Sequence, residues 1–164
     1  MAEGVREDDR VVVSGWQVYD NKGQVIEKYE PFFDNGWDYL PEEDAKQGQH
    51  VTMYYDPRGQ VIRTVNPDGS EQRVIYGVPG AIGTPDVTDM ENYDATPWEA
   101  YTYDANDNAE RTHLGKATSE GWAHHLDTPA SILLDGLGRT ILAVARNRHS
   151  AADAGDEPEL YLTR

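Results

Sequence analysis

Runs of β-branched and aromatic residues alternate along this chain with short clusters of Asp, Asn, Gly and Pro, a pattern that predicts strands joined by tight turns. Val51-Thr52-Met53-Tyr54-Tyr55 runs into Asp56-Pro57-Arg58-Gly59, and Gln60-Val61-Ile62-Arg63-Thr64-Val65 runs out of it. Asn66-Pro67-Asp68-Gly69 then forms a second turn of the same logic before Ser70-Glu71-Gln72-Arg73-Val74-Ile75-Tyr76. Residues 51 to 76 read as a three-stranded antiparallel meander.

The turn recurs. Tyr19-Asp20-Asn21-Lys22-Gly23-Gln24-Val25-Ile26 is nearly the same sentence as Tyr55-Asp56-Pro57-Arg58-Gly59-Gln60-Val61-Ile62. Leu134-Asp135-Gly136-Leu137-Gly138-Arg139-Thr140-Ile141 keeps Asp, Gly and the following β run, with Leu in place of Tyr. Tyr103-Asp104-Ala105-Asn106-Asp107-Asn108 keeps Tyr-Asp and has Asp107 where the Gly belongs. Within each turn, Asp accepts bonds from backbone N–H groups ahead of it, Pro57 presets φ, and Gly relieves the bend. Tyr19, Tyr55 and Tyr103 are expected to pack as cross-strand aromatics. The copies begin at 19, 55, 103 and 134, so their spacing is irregular. That argues against a strict solenoid and for strand pairs separated by insertions of variable length.

The insertions are visible in composition. Phe32 to Gly48 is acidic and turn-rich, and Gly77 to Pro97, with its six Gly and Pro, is expected to be mostly loop. Gly115 to Leu126 is the helix candidate, with Thr118 or Ser119 as N-cap, Glu120 in the first turn and Pro129 beyond the end. Residues 149–159 read as an acidic linker-like stretch before a last strand, Leu160-Tyr161-Leu162. The fold class is therefore mainly β: antiparallel hairpins within one domain, residues 1–164, with one short helix in an insertion.

Composition narrows the function classes. The chain has 30 Asp+Glu against 14 Lys+Arg, a net charge of −16, which repels nucleic-acid backbones and anionic membrane surfaces. Ten Tyr against two Phe suggests sheets with one wet face. Without cysteine there is no disulfide or thiolate zinc site. No apolar stretch is long enough for a membrane span, and residues 1–10 lack the apolar core of a signal peptide.

Candidate chemistry is sparse. Asp104-Ala105-Asn106-Asp107-Asn108 resembles the opening of a calcium loop, but Ala109 stands where its glycine belongs and Gly115 where its bidentate Glu belongs. His124, His125 and Asp127 could seed a metal site, yet adjacent helical histidines diverge by about 100°, so capping or packing against Trp122 is preferred. Glu42-Glu43-Asp44 and Asp8-Asp9 read as solvated charge. No Gly-x-Ser-x-Gly or phosphate-binding loop occurs. Trp16, Trp37, Trp98 and Trp122 could stack on sugars, but each also suits anchoring an insertion to a sheet. Neither a catalytic set, a metal nor a cofactor is expected.

Tyr55 to Tyr76, a Tyr-Asp-x-x-Gly turn followed by β residues and a Pro-Asp-Gly-Ser turn, resembles the Rhs/YD-repeat family. Two further segments, Ser14 to Phe33 and His125-Leu126-Asp127-Thr128-Pro129 with Asp135-Gly136-Leu137-Gly138-Arg139, are similar to stretches of the B component of bacterial Tc insecticidal toxin complexes. The resemblance implies a segment of a curled β-sheet ribbon that forms a hollow shell around a toxic polypeptide. The implied partners are neighbouring YD repeats, other toxin-complex subunits and the enclosed toxin, in a secreted or cell-surface assembly. Tyr19, Asp20, Gly23, Tyr55, Asp56, Gly59, Asn66, Pro67, Asp68, Gly69, Tyr103, Asp104, Asp135, Gly138 and Arg139 would be its structural turn residues. A complete shell needs many more repeats, so the chain is expected to be a fragment that is marginally stable or self-associating when isolated. A carbohydrate-binding cell-surface module and, more weakly, a hydrolase are the alternatives.

Overall fold

The β-branched and aromatic runs form strands wherever their backbone finds an antiparallel neighbour, and the turn clusters set where the chain reverses. A computed structural model describes residues 10–35, 48–114, 124–148 and 158–164. Its strands are β1 (Arg10–Val13), β2 (Gln17–Tyr19), β3 (Val25–Tyr29), β4 (Phe32–Asn35), β5 (His50–Tyr55), β6 (Val61–Val65) and β7 (Glu71–Ile75). They continue as β8 (Gly77–Ala81), β9 (Thr84–Pro85), β10 (Tyr93–Ala95), β11 (Glu99–Tyr103), β12 (Ala130–Leu134), β13 (Thr140–Asn147) and β14 (Glu159–Thr163). Among the described residues a short helix, α1, spans Ala109–Thr112.

Nine strands make one sheet in the order β14-β13-β12-β11-β7-β6-β5-β3-β2, and each pairing in it is antiparallel. The expected meander is its β5-β6-β7 centre, and β14 is the expected last strand. At the other end, β1 pairs with β4 in the register that β2 and β3 already share. The Tyr29 N–H donates to the Trp16 carbonyl at 3.0 Å between the two pairs, so residues 10–35 are one long hairpin whose arm runs past the sheet.

The segment expected to be mostly loop, Gly77–Pro97, instead builds a three-stranded sheet in the order β10-β8-β9. Its Gly and Pro content predicts loop from local preference, but tertiary packing overrides that preference. Val78 is 1% exposed, and Pro79 beside it is also buried. This insertion folds back along β7 and β11, where Ile75, Val78, Met90, Tyr101 and Tyr103 form the core with Val87 packed against it. The Tyr103 hydroxyl donates to the Val87 carbonyl at 3.0 Å, and Arg73 pairs with Glu91 at 2.7 Å, which pins the insertion at two further points.

Most of the helix candidate, residues 115–123, lies outside the described residues, as do residues 149–157 of the acidic stretch. The described part of that candidate, from His124 on, is a turn, and the helix that is seen lies earlier, at α1.

Gly77 sits where the insertion leaves the sheet, and a Cβ there would overlap the Asp94 carbonyl oxygen. Gly138 has a φ of +76° but open space around it. Gly138→Ala should therefore cost about 1 kcal/mol through backbone strain alone. Gly77→Ala should cost more, roughly 2–3 kcal/mol, because β8 and β10 must separate. Urea midpoints of the two variants check the order.

Candidate functional site

Strands β2, β5 and β12 run in the same direction, so the turns that follow them fall at one end of the sheet. All three turns are built alike. The Lys22 and Gln24 N–H groups donate to Asp20 Oδ1 at 2.8 and 2.9 Å. Those of Arg58 and Gln60 donate to Asp56 Oδ1, both at 2.9 Å. Those of Leu137 and Arg139 donate to Asp135 Oδ1 at 2.9 and 3.0 Å. Gly23, Gly59 and Gly138 close them at φ of 79°, 85° and 76°, each donating its N–H to the carbonyl of the turn's aspartate. A type I turn followed by a left-handed residue is the favoured three-residue hairpin loop.

Each of these turns is followed by a register shift. Tyr19 faces Val25 while Val18 faces Glu27, leaving Ile26 as an extra residue on the outgoing strand. Ile62 and Ile141 occupy the same place in their hairpins. The isoleucine shared by the three copies is thus a bulge residue, and bulges increase local twist.

The Asn66 turn, at the opposite end, reaches the same backbone form by another route. Gly69 has a φ of 82°, but Asp68 Oδ1 accepts from the Ser70 N–H at 2.9 Å and from its hydroxyl at 2.7 Å. Asn66 contributes Nδ2 to Ser70 Oγ at 3.0 Å, and Pro67 is exposed.

Several turn carboxyls are held below the usual carboxylate range. For Asp135 the cause is first the Arg139 side chain, 2.7 Å away, and for Asp56 it is first the Gln60 N–H. Ser70 does the same for Asp68.

The three tyrosines do not stack as a cross-strand set. Tyr19 is 56% exposed, Tyr55 donates its hydroxyl to the Val25 carbonyl at 2.7 Å, and Tyr103 is fully buried under the insertion.

Tyr103-Asp104 also departs from the hairpin pattern. Asp104 Oδ1 accepts the N–H groups of Asn106 and Asp107 at 2.7 and 3.0 Å, and the chain turns into α1 rather than back along β11. Here the Gly is replaced by a latch. Asp107 Oδ1 accepts from the Thr128 N–H at 2.8 Å and hydroxyl at 3.0 Å, while its Oδ2 accepts the Asp104 N–H at 2.8 Å. Asn108, 1% exposed, donates Nδ2 to the carbonyls of Glu71 and Asp104 at 3.0 and 2.9 Å. Arg111 bonds the Thr88 carbonyl at 2.9 Å and pairs with Asp127 at 2.7 Å. The latch thereby ties β7, the insertion and the start of β12 to one helical turn.

Sequence reasoning missed Asp107, Asn108, Arg111 and Thr128 as a unit. The signal was present in the His-x-x-Thr-Pro block. The Thr128 hydroxyl also lies 2.9 Å from the His125 carbonyl, so its one proton is shared between that oxygen and Asp107, and Pro129's carbonyl accepts from Arg146 at 2.6 Å.

Burial pushes the carboxyls of Asp107 and Asp127 upward, with Arg111 opposing the shift at Asp127. Burial acts in the same sense on Glu71, but its bonds from Arg63 and Arg73 outweigh it and hold Glu71 below the usual range. These carboxylates are therefore committed to backbone and arginine partners. Among the described residues, no group of three or more His, Asp or Glu is placed to hold a metal ion. His124 Nδ1 lies 3.3 Å from the Arg148 carbonyl, and its ring is tilted against that of His125. Trp98 is 48% exposed and Trp16 is partly buried, while Trp37 and Trp122 fall outside the described residues. No helix among the described residues is long and apolar enough to cross a membrane.

No protein-family model matches the chain. No curated protein matches it. Solved structures do. A crystal structure of TcdB2-TccC3 is similar over 94% of this chain at 27% identity, with a TM-score of 0.72. A Tc holotoxin pore of Photorhabdus luminescens is similar over 94% at 28% identity, with a TM-score of 0.73. A TcdB2-TccC3-Cdc42 crystal structure gives 28% identity and a TM-score of 0.71. The chain spans 6% of the length of each of these matched chains.

Two predictions follow from the latch and the turns. Asn108→Asp removes both donors and turns a carboxylate toward two carbonyl oxygens, so it should destabilise by about 3 kcal/mol or more in urea titrations. The lowered carboxyls of Asp56, Asp68 and Asp135 contribute stability that is present above the unfolded aspartate value of 3.8 and lost as pH falls below it. Asp107 has the opposite sign: its contribution is most favourable below 3.8 and is lost as pH rises through its raised value. A double Asp56→Asn/Asp135→Asn variant should therefore lose less stability than the parent below that value, measured by denaturation at stepped pH.

Proposed function

We propose that this chain, whose fold is similar to Tc toxin-complex structures, is an Rhs/YD-repeat segment that serves as a non-enzymatic wall segment of a shell enclosing a toxin polypeptide. The observation that carries this is the row of three identically built joints at one end of a nine-stranded antiparallel sheet. A wall of this kind needs many strands held in fixed register, and local turns supply it without a large core under every strand. The described core is accordingly small and confined to the region under the insertion.

The polar chemistry supports a mechanical role. Asp20, Asp56 and Asp135 bind their own turns, Asp107 binds Thr128, and Glu71 binds two arginines, so each carboxylate serves as a joint. Both ends of the sheet present strands with one unpaired side among the described residues, β2 and β14. Neighbouring YD repeats or other toxin-complex subunits would cover them within a secreted or cell-surface assembly.

The test is to express the uninterrupted reading frame that contains these residues, with whatever flanks them, and probe its C-terminal portion with protease. The expected result is further Tyr-Asp-x-x-Gly repeats on both sides and a C-terminal portion cut only after the shell is opened. A frame without further repeats, or a C-terminal portion digested as fast as when it is made alone, would overturn the proposal.

A further inference from the structure

The two faces of the nine-stranded sheet differ in chemistry. Side chains alternate along each strand, and residues paired across strands share a face, so the registers sort them. One face carries Ile75, Tyr101 and Tyr103 of the core. The charged side chains of Arg63, Glu71, Arg73, Glu99 and Arg146 stand on that same face. The insertion lies over it and presents Asp86, Glu91 and Asp94 to solvent.

The opposite face is made of cross-strand rows. Met53, Thr64 and Gln72 form the first. Val74, Thr102 and Ala130 form the second, and Ala100, Ile132 and Ala143 the third. None of these side chains is charged, although 27% of the chain's residues are. The face is nevertheless open: Gln72, Thr102, Ala130 and Ile132 are exposed. A sheet face that meets bulk water is ordinarily polar, with charged side chains of both signs. A face that docks a folded partner carries aromatic or arginine anchors at its centre, and these rows have neither.

We propose that this uncharged face lines the inside of the shell and that the enclosed toxin polypeptide lies against it. The inference rests on the shell reading and adds which side of the wall the cargo meets. Hydroxyl, amide and short aliphatic groups offer a chain of either charge neither an ion pair nor repulsion. Such a wall holds its contents by enclosure and not by adhesion, whatever their sequence.

The other face suits the outside for the converse reasons. Its insertion adds a folded layer that would take volume from the interior. The exposed acids of that layer, on a chain of net charge −16, keep assemblies apart in solution. Turning the uncharged rows inward also removes Val74 and Ile132 from encounters with other molecules, where an apolar patch invites association.

Site-specific photo-cross-linking in the product of the uninterrupted reading frame tests the assignment. The photoreactive residue p-benzoylphenylalanine replaces Gln72 or Thr102 on the uncharged face and, for the opposite face, Ile82, which is 63% exposed on the insertion. Protease protection of the C-terminal portion is measured first on the parent. After irradiation and denaturation, links to that portion are mapped by mass spectrometry. Gln72 and Thr102 should each link to several C-terminal positions, and Ile82 to none. Links from Ile82 alone, or equal yields from the two faces, would overturn the proposal and leave the shell reading standing. A protected C-terminal portion that links to neither Gln72 nor Thr102 would overturn it in the same way. A C-terminal portion digested in the parent as fast as when it is made alone would overturn the shell reading and this proposal with it.

Discussion

One oxygen of an aspartate carboxylate, accepting N–H bonds from residues two and four positions ahead, sets the geometry on which the sheet depends. It holds the turn compact, which puts glycine in the left-handed region. The glycine in turn delivers the next strand in a fixed register, with the following isoleucine left over as a bulge. Because side chains alternate faces, a slip of one residue would turn each strand inside out. A short local interaction therefore decides which face Arg63 or Val65 occupies along the next strand.

The local joints are complemented by one long-range construction. Where the chain leaves β7 and returns at β11, the insertion covers the sheet and brings the core with it. Where the chain leaves β11, the glycine-free copy exchanges a hairpin for the Asp107–Thr128 latch. The latch and the core sit on the same two strands, and Arg111 and Tyr103 connect them through Thr88 and Val87. Buried polar groups of this kind cost stability unless each finds a partner, and here Asn108 Nδ2, Asp107 and Arg111 do, while Asn108 Oδ1 is buried without one. Among the described residues, this region gathers the buried core and the latch in one place.

Turn chemistry was legible in the sequence because it is local: Asp at the first position and Gly at the fourth carry their own reasons wherever they occur. The meander from 51 to 76 followed from it, and the strand at Leu160 was read from the apolar run after the acidic stretch. Two features were not legible. The strands of Gly77–Pro97 form against local preference because Val78 and Pro79 gain burial that only the sheet supplies. The fate of Tyr103-Asp104 hung on Thr128, more than 20 residues away, whose two donors choose the Asp107 carboxylate. Identical dipeptides thus make a hairpin at Asp56 and a helical turn at Asp104. The family resemblance read from Tyr55–Tyr76 and the His125–Pro129 block agrees with the solved structures that the fold is similar to.

Amide hydrogen exchange on Asp56→Ala tests the role of the carboxylate most directly. With the carboxylate gone, the N–H groups of Arg58 and Gln60 lose their acceptor. Their protection, and that of the paired β5 and β6 amides near the turn, should fall by roughly tenfold, the equivalent of about 1.4 kcal/mol, while amides around Tyr103 keep theirs. Unchanged protection across the β5–β6 hairpin would contradict the claim that this carboxylate sets the register.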